Sequence, residues 1–111
     1  MDKLISYREK VKQILTAYSQ YKPSYGEVEA ELVFDAERGH YQVISIGWHG
    51  QRRVYGCMMH LSIKDEKIWI EQNTTEVDIA KELVERGVPK QDIVIGFNTP
   101  KMRQLTEFAV G

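Results

Sequence analysis

Apolar positions along this chain change their spacing twice, and the changes divide it into elements. From Asp2 to about Ser19, Leu4, Tyr7, Val11, Ile14 and Tyr18 recur at alternating steps of three and four, with Ile5 and Leu15 alongside. That spacing predicts an amphipathic helix, with Asp2 placed to cap it and Arg8, Glu9, Lys12 and Gln13 on its wet side. The run Tyr21-Lys22-Pro23-Ser24-Tyr25-Gly26 then breaks the pattern, because Pro23 disfavours helix at Lys22 and Gly26 permits a turn. Tyr18, Tyr21 and Tyr25 gather at the break, and they suit half-buried packing against a sheet better than a stacking surface for bases.

Beyond Gly26 the period becomes two. Val28, Ala30, Leu32 and Phe34 share one face, and Glu27, Glu29 and Glu31 the other, so the first strand is buried on one side. A second strand runs from His40 to about Trp48, with Tyr41, Val43 and Ser45 on one face and Ile44, Ile46 and Trp48 on the other. The third, Arg52 to Ile63, places Tyr55, Cys57, Met59, Leu61 and Ile63 on one side and Val54, Met58 and His60 on the other, with Gly56 a candidate bulge. A fourth starts at Lys67 after the polar turn Asp65-Glu66. Short hairpin links make these neighbours antiparallel. Strands two and three are apolar on both faces, so both faces need cover.

From Lys67 to Gly87 the period changes again. Ile68 and Ile70 alternate with Trp69 and Glu71 as in a strand, and then Val77, Ala80, Leu83 and Val84 form a helical stripe. Thr75 is the predicted N-cap, with Asp78 three residues on, and Gly87 and Pro89 end the helix. The run Ile93 to Phe97 is apolar but has no assignable period. Thr99-Pro100 predicts the start of a short helix, and the apolar ending Thr106 to Val110 predicts a docked C-terminus. The expected fold is α+β: an antiparallel β-meander of about four strands, with an N-terminal helix and a C-terminal helix packed on the sheet. One domain is expected over residues 1–111.

Composition narrows the function classes. A formal net charge of −1, with 28% charged residues, gives no global attraction to nucleic acid or anionic lipid. Cys57 is the only cysteine, which excludes an internal disulfide and Cys-pair zinc motifs. No apolar run reaches membrane-spanning length, and the charged N-terminus lacks the apolar core of a signal peptide, so a soluble cytoplasmic protein is expected.

Candidate chemistry is sparse. His40, His49 and His60 are far apart in sequence, with no metal-ligand spacing among them, so no metal is expected. Cys57 falls on the apolar side, as a core residue and not a nucleophile. No phosphate-binding loop or nucleophile elbow occurs, and no cofactor, small-molecule substrate or catalytic residue is expected. Asp65, Glu66 and Lys67 superficially suit a metal-dependent nuclease but occupy a hairpin tip. Arg52 and Arg53 beside Trp48, with Lys64 and Lys67, form the one basic-aromatic grouping that could touch phosphate.

Five strings stand in order along the chain: ELVFD from Glu31, HYQVISIGW from His40, RRVYGCMMHLSIKDEKIWI from Arg52, a TE…IA…LVERGVPKQDIVIGF segment from Thr75, and the ending TEFAVG from Thr106. Together, from about Tyr7 to the C-terminus, they resemble the XisI family, the fdxN element excision controlling factor proteins typical of cyanobacteria. Where that family usually has Asp after the KIWIxQ strand and Gly before IA, this chain has Asn73 and Asp78. The resemblance implies an accessory, non-catalytic factor in site-specific excision of a DNA element during heterocyst development. It also implies assembly with an XisH-like, nuclease-related partner. With the sheet needing cover, a homodimer is expected as well as, or in place of, that partner. Alternatives are direct DNA binding, antitoxin-like restraint of a partner nuclease, or a metal-dependent nuclease. No catalytic residues are carried over. The candidate partner or nucleic-acid surface comprises Trp48, Arg52, Arg53, His60, Lys67, Trp69, Glu76, Arg103 and Glu107.

Overall fold

A computed structural model describes residues 2–21 and 27–111. The predicted break at residues 22–26, with Tyr25 of the tyrosine cluster, lies outside the described residues. Helix α1 (Lys3–Ser19) starts where Asp2 accepts a hydrogen bond from the Leu4 N–H at 2.9 Å, and it buries Tyr7, Val11, Ile14 and Leu15. Ile5 stays exposed. Strands β1 (Glu27–Asp35), β2 (His40–His49), β3 (Arg52–Lys64) and β4 (Lys67–Asn73) form the expected antiparallel meander. A short fifth strand, β5 (Ile93–Val94), joins the edge of the sheet parallel to β4 and takes the first two residues of the apolar run that lacked a period, the rest of which leaves the sheet. The C-terminus is docked: the Ala109 N–H donates to the Ile93 carbonyl at 2.9 Å, and Ala109 bridges Val94.

Helix α2 (Ile79–Glu85) begins one turn later than predicted. Its cap is Asp78, which accepts from the Lys81 N–H, and not Thr75. Thr75 is held instead by Asn73, whose Oδ1 accepts from the Thr75 N–H and hydroxyl while its Nδ2 donates to the Val77 carbonyl at 2.7 Å. Asn73 therefore ties the crossover from β4 into α2. Helix α3 (Pro100–Arg103) starts as expected, with the Thr99 hydroxyl accepting from the Met102 N–H at 3.2 Å.

The two longer helices lie on one face of the sheet, called inner here. Leu15, Val11, Ile79 and Leu83 meet Tyr41, Val43, Met59, Leu61, Ile68 and Ile70 there, all essentially water-free. Directly opposed residues in an antiparallel pair share a face. Val43 pairs with Met59 but Ile44 pairs with Cys57, so Met58 is an extra residue on β3, two positions from the expected Gly56. The bulge reverses the alternation of β3. Tyr55 and Cys57 therefore share the outer face with His60, where an unbroken strand would have grouped them with Met59 and Leu61. Met58 turns inward to accept a hydrogen bond from Ser45 Oγ. Cys57 is partly exposed, with its thiol donating to the Met59 carbonyl at 3.3 Å, and is not a core residue.

Candidate outer-face interaction surface

Among the described residues no helix crosses the outer face of β1 to β3. Register places Glu27, Glu29, Glu31, Val33 and Asp35 in its first row, and His40, Gln42, Ile44, Ile46 and Trp48 in the second. Arg53, Tyr55, Cys57, His60, Ser62 and Lys64 make the third. Val33 is 43% exposed, Trp48 48% and Tyr55 69%, and Ile44 and Ile46 between them are half-buried. An apolar stripe thus runs between an acidic edge strand and the positive charge of Arg53. The guanidinium of Arg53 lies 5.2 Å from the centre of the Trp48 ring, across the β2–β3 rung.

At the β4 side the outer face is closed by the chain itself. Trp69 lies beneath the C-terminal segment, with Lys64 Nζ 4.0 Å and the Arg103 guanidinium 5.2 Å from its ring centre. Its indole N–H is buried and meets no acceptor among the described residues. A Cβ on Gly96 would stand 3.1 Å from the Ile70 carbonyl oxygen, 3.4 Å from the Trp69 ring and 2.5 Å from a Glu71 oxygen, so glycine lets that segment lie this close without displacing the Glu71 side chain. Arg103 donates to the carbonyls of Asn98 (3.1 Å) and Gly96 (3.3 Å), which makes it a clamp for this segment. Glu107 is engaged nearby, in an ion pair with Lys90 at 2.9 Å.

The basic-aromatic grouping read from the sequence is split. Arg52 and Arg53 open β3 and Lys64 closes it, about 35 Å away at roughly 3.3 Å per residue. Lys67 faces Lys64 across the β3–β4 hairpin, far from Trp48. Asp65 and Glu66 form the tip of that hairpin with φ of 54° and 61°, values typical of a two-residue type I′ turn. Among the described residues no three His, Cys, Asp or Glu side chains converge as a metal cluster. Glu76 lies elsewhere, on the rim of a cleft of about 620 Å³ between α1 and the β4–α2 crossover, lined mainly by Ile14, Ala17, Tyr18, Met58 and Val77.

His60 has a partner that linear spacing concealed. Its Nε2 lies 3.1 Å from His40 Nδ1 on the neighbouring strand, at hydrogen-bond distance. Burial and the adjacent His40 hold His60 below the usual imidazole value, against the opposing pull of Glu71. Counting back from the tight turn at Gly50-Gln51 puts His40 within one rung of His60 but on the opposite face, and only the bulge at Met58 brings the two rings to one side.

A family model described as XisI protein matches residues 1–110. The chain belongs to the XisI family. A XisI-like protein from Anabaena variabilis ATCC 29413, known from its crystal structure, is 46% identical with a TM-score of 0.91, over 97% of this chain and 99% of that one. The fdxN element excision controlling factor XisI from the same organism is 36% identical with a TM-score of 0.85, over 99% of this chain and 100% of that one. No match was found among curated proteins. The XisI fold seen here is the expected α+β arrangement, an N-terminal helix on a mostly antiparallel sheet with helices near the C-terminus. Among the described residues no helix is long and apolar enough to cross a membrane.

Proposed function

We propose that this chain is an accessory, non-catalytic factor in the excision of a DNA element, acting through assembly with an XisH-like, nuclease-related protein on the outer face of its sheet. The open stripe of Val33, Ile44, Ile46, Trp48 and Tyr55 carries this reading, because such a surface gains free energy only when another surface covers it. Trp, Tyr and Arg are the side chains that most often anchor interfaces, and Trp48, Tyr55 and Arg53 adjoin one another here. The excision role comes from family membership and from the name of the 36% identical relative. Direct DNA binding is the weaker reading, since the acidic row of β1 flanks the stripe and the basic residues stand at opposite ends of β3.

Coexpression with the XisH-like protein followed by native mass measurement tests the proposal. A complex that persists at micromolar concentration is expected, weakened by about tenfold or more in Ile46→Lys. Separate elution of the two proteins would overturn it. So would a dimer of this chain alone that excludes the partner and dissociates on the same substitution, since a second copy would then be the occupant.

A further inference from the structure

We propose that His40 and His60 chelate one divalent ion of the nickel–copper–zinc group on the outer face of the sheet. Imidazole nitrogen is the ligand these ions share, and neutral histidine binds through either ring nitrogen. Two nitrogens bound to one ion at about 2.0–2.1 Å lie about 2.9–3.4 Å apart for angles between roughly 90° and 109°. Nδ1 of His40 and Nε2 of His60 are 3.1 Å apart, inside that range before any ion is added. The rings are tilted 55° with their centroids 5.2 Å apart, and chelation requires both ring nitrogens to turn from each other toward the ion.

The proton balance is simple. In the metal-free pair one ring donates its N–H to the lone pair of the other. Binding needs both lone pairs, so the donor ring passes that proton through solvent to its own far nitrogen. A neutral pair then takes up the ion without net proton release.

Surrounding charge suits a dication. Asp35 stands directly opposite His40 on β1, and Glu71 is close enough to bias His60. Both carboxylates are held by other groups, Asp35 by Arg38 at 3.3 Å and Glu71 by the Ser62 hydroxyl at 2.8 Å. They act as neighbouring charge while water fills the remaining positions. An ion held this way leaves open coordination sites on the side of the sheet that no described helix covers. The inference stands on this geometry alone and is independent of the excision partner.

Calorimetric titration of the purified chain with zinc and nickel near neutral pH tests it, with copper electron paramagnetic resonance to count bound nitrogens. One ion per chain at micromolar affinity is expected, with a two-nitrogen copper signature. His40→Gln and His60→Gln should each weaken binding by about tenfold or more, and His49→Gln by less than about twofold. His40 and His60 lie on the open face, so both variants should keep the unfolding midpoint of the metal-free protein. Absence of saturable binding, or binding unchanged in either single variant, would overturn the proposal. Equal loss in His49→Gln would mark non-specific surface binding and overturn it too.

Discussion

Leu61 and Tyr55 lie six residues apart on one strand and would share a face if that strand alternated without interruption. Leu61 is fully buried and Tyr55 is 69% exposed. The difference between them is the difference between the two faces of the sheet. The inner face is apolar in every central row and shut by two helices, so its side chains stabilise the fold. The outer face mixes acid, imidazole, aliphatic and aromatic groups, and over β1, β2 and the Arg53 end of β3 nothing in the described chain closes it. One inserted residue, Met58, is what allots β3 residues to one face or the other, moving Tyr55 and Cys57 away from the core and onto the face of His60.

Paired substitutions break that comparison most directly. Leu61→Ala should cost about 2–5 kcal/mol of unfolding free energy, since it removes buried methyl groups and leaves a cavity between the sheet and the helices. Tyr55→Ala should stay within about 0.5 kcal/mol, because its ring is mostly in water already. Urea melts of both variants give the answer. Equal losses would mean that Tyr55 is covered in solution, and with it the face proposed for assembly.

Much of this architecture could be read from the chain alone. Helix α1 and strands β1 and β2 follow from long, regular alternation, and Asp2 and Thr99 cap helices because short oxygen-bearing side chains fit N-caps. The face assignment within β3 could not be read. A bulge reverses parity, and nothing in the type of Met58 announces one, whereas Gly56 two positions before it invites the wrong placement. Strand β5 escaped for another reason: two residues hold no period, and their pairing with β4 depends on where the intervening helix returns the chain. The candidate surface was half legible. Trp48, Arg53 and His60 do share the outer face. Lys67, Trp69 and Arg103 belong to its far end, and Arg103 serves the packing of the C-terminal segment. His40 was missed because it meets its partner across strands.

A smaller effect is expected where polar groups tie α1 to the inner side. The Tyr7 hydroxyl donates to Asp92, whose carboxylate also pairs with Lys3 at 3.2 Å. Burial pushes the Tyr7 phenol well above its ordinary value, with the bond to Asp92 adding to the rise. Burial pushes Asp92 the other way from its net shift, but the bond from Tyr7 and the charge of Lys3 outweigh it and hold the carboxyl below the usual range. A raised phenol contributes stability below about pH 10 that is lost as pH climbs above it. A depressed carboxyl contributes stability above about pH 3.9 that is lost as pH falls through the folded value. Tyr7→Phe should therefore lower the neutral plateau by about 1–2 kcal/mol and flatten both flanks. A stability–pH curve parallel to that of the wild type would show that the clamp does not form.

The smallest effect concerns the crossover that delivers α2 to the inner face. Asn73 both accepts, from Thr75, and donates, to the Val77 carbonyl, and an amide can do both at neutral pH where a carboxylate cannot. Asn73→Asp keeps the acceptor and turns the donor into a carboxylate oxygen facing a carbonyl. The loss should be about 0.5–1.5 kcal/mol at neutral pH. It should shrink below about pH 4, where the protonated carboxyl regains a hydrogen to donate. The comparison must be with wild type at each pH, because Asp92 titrates in the same region. A variant as stable as wild type at neutral pH would mean that packing of Ile79 and Leu83, and not the Asn73 bridge, sets where α2 begins. A deficit that did not shrink in acid would instead place the fault in the changed loop backbone, since protonation restores the missing donor but cannot restore a lost turn.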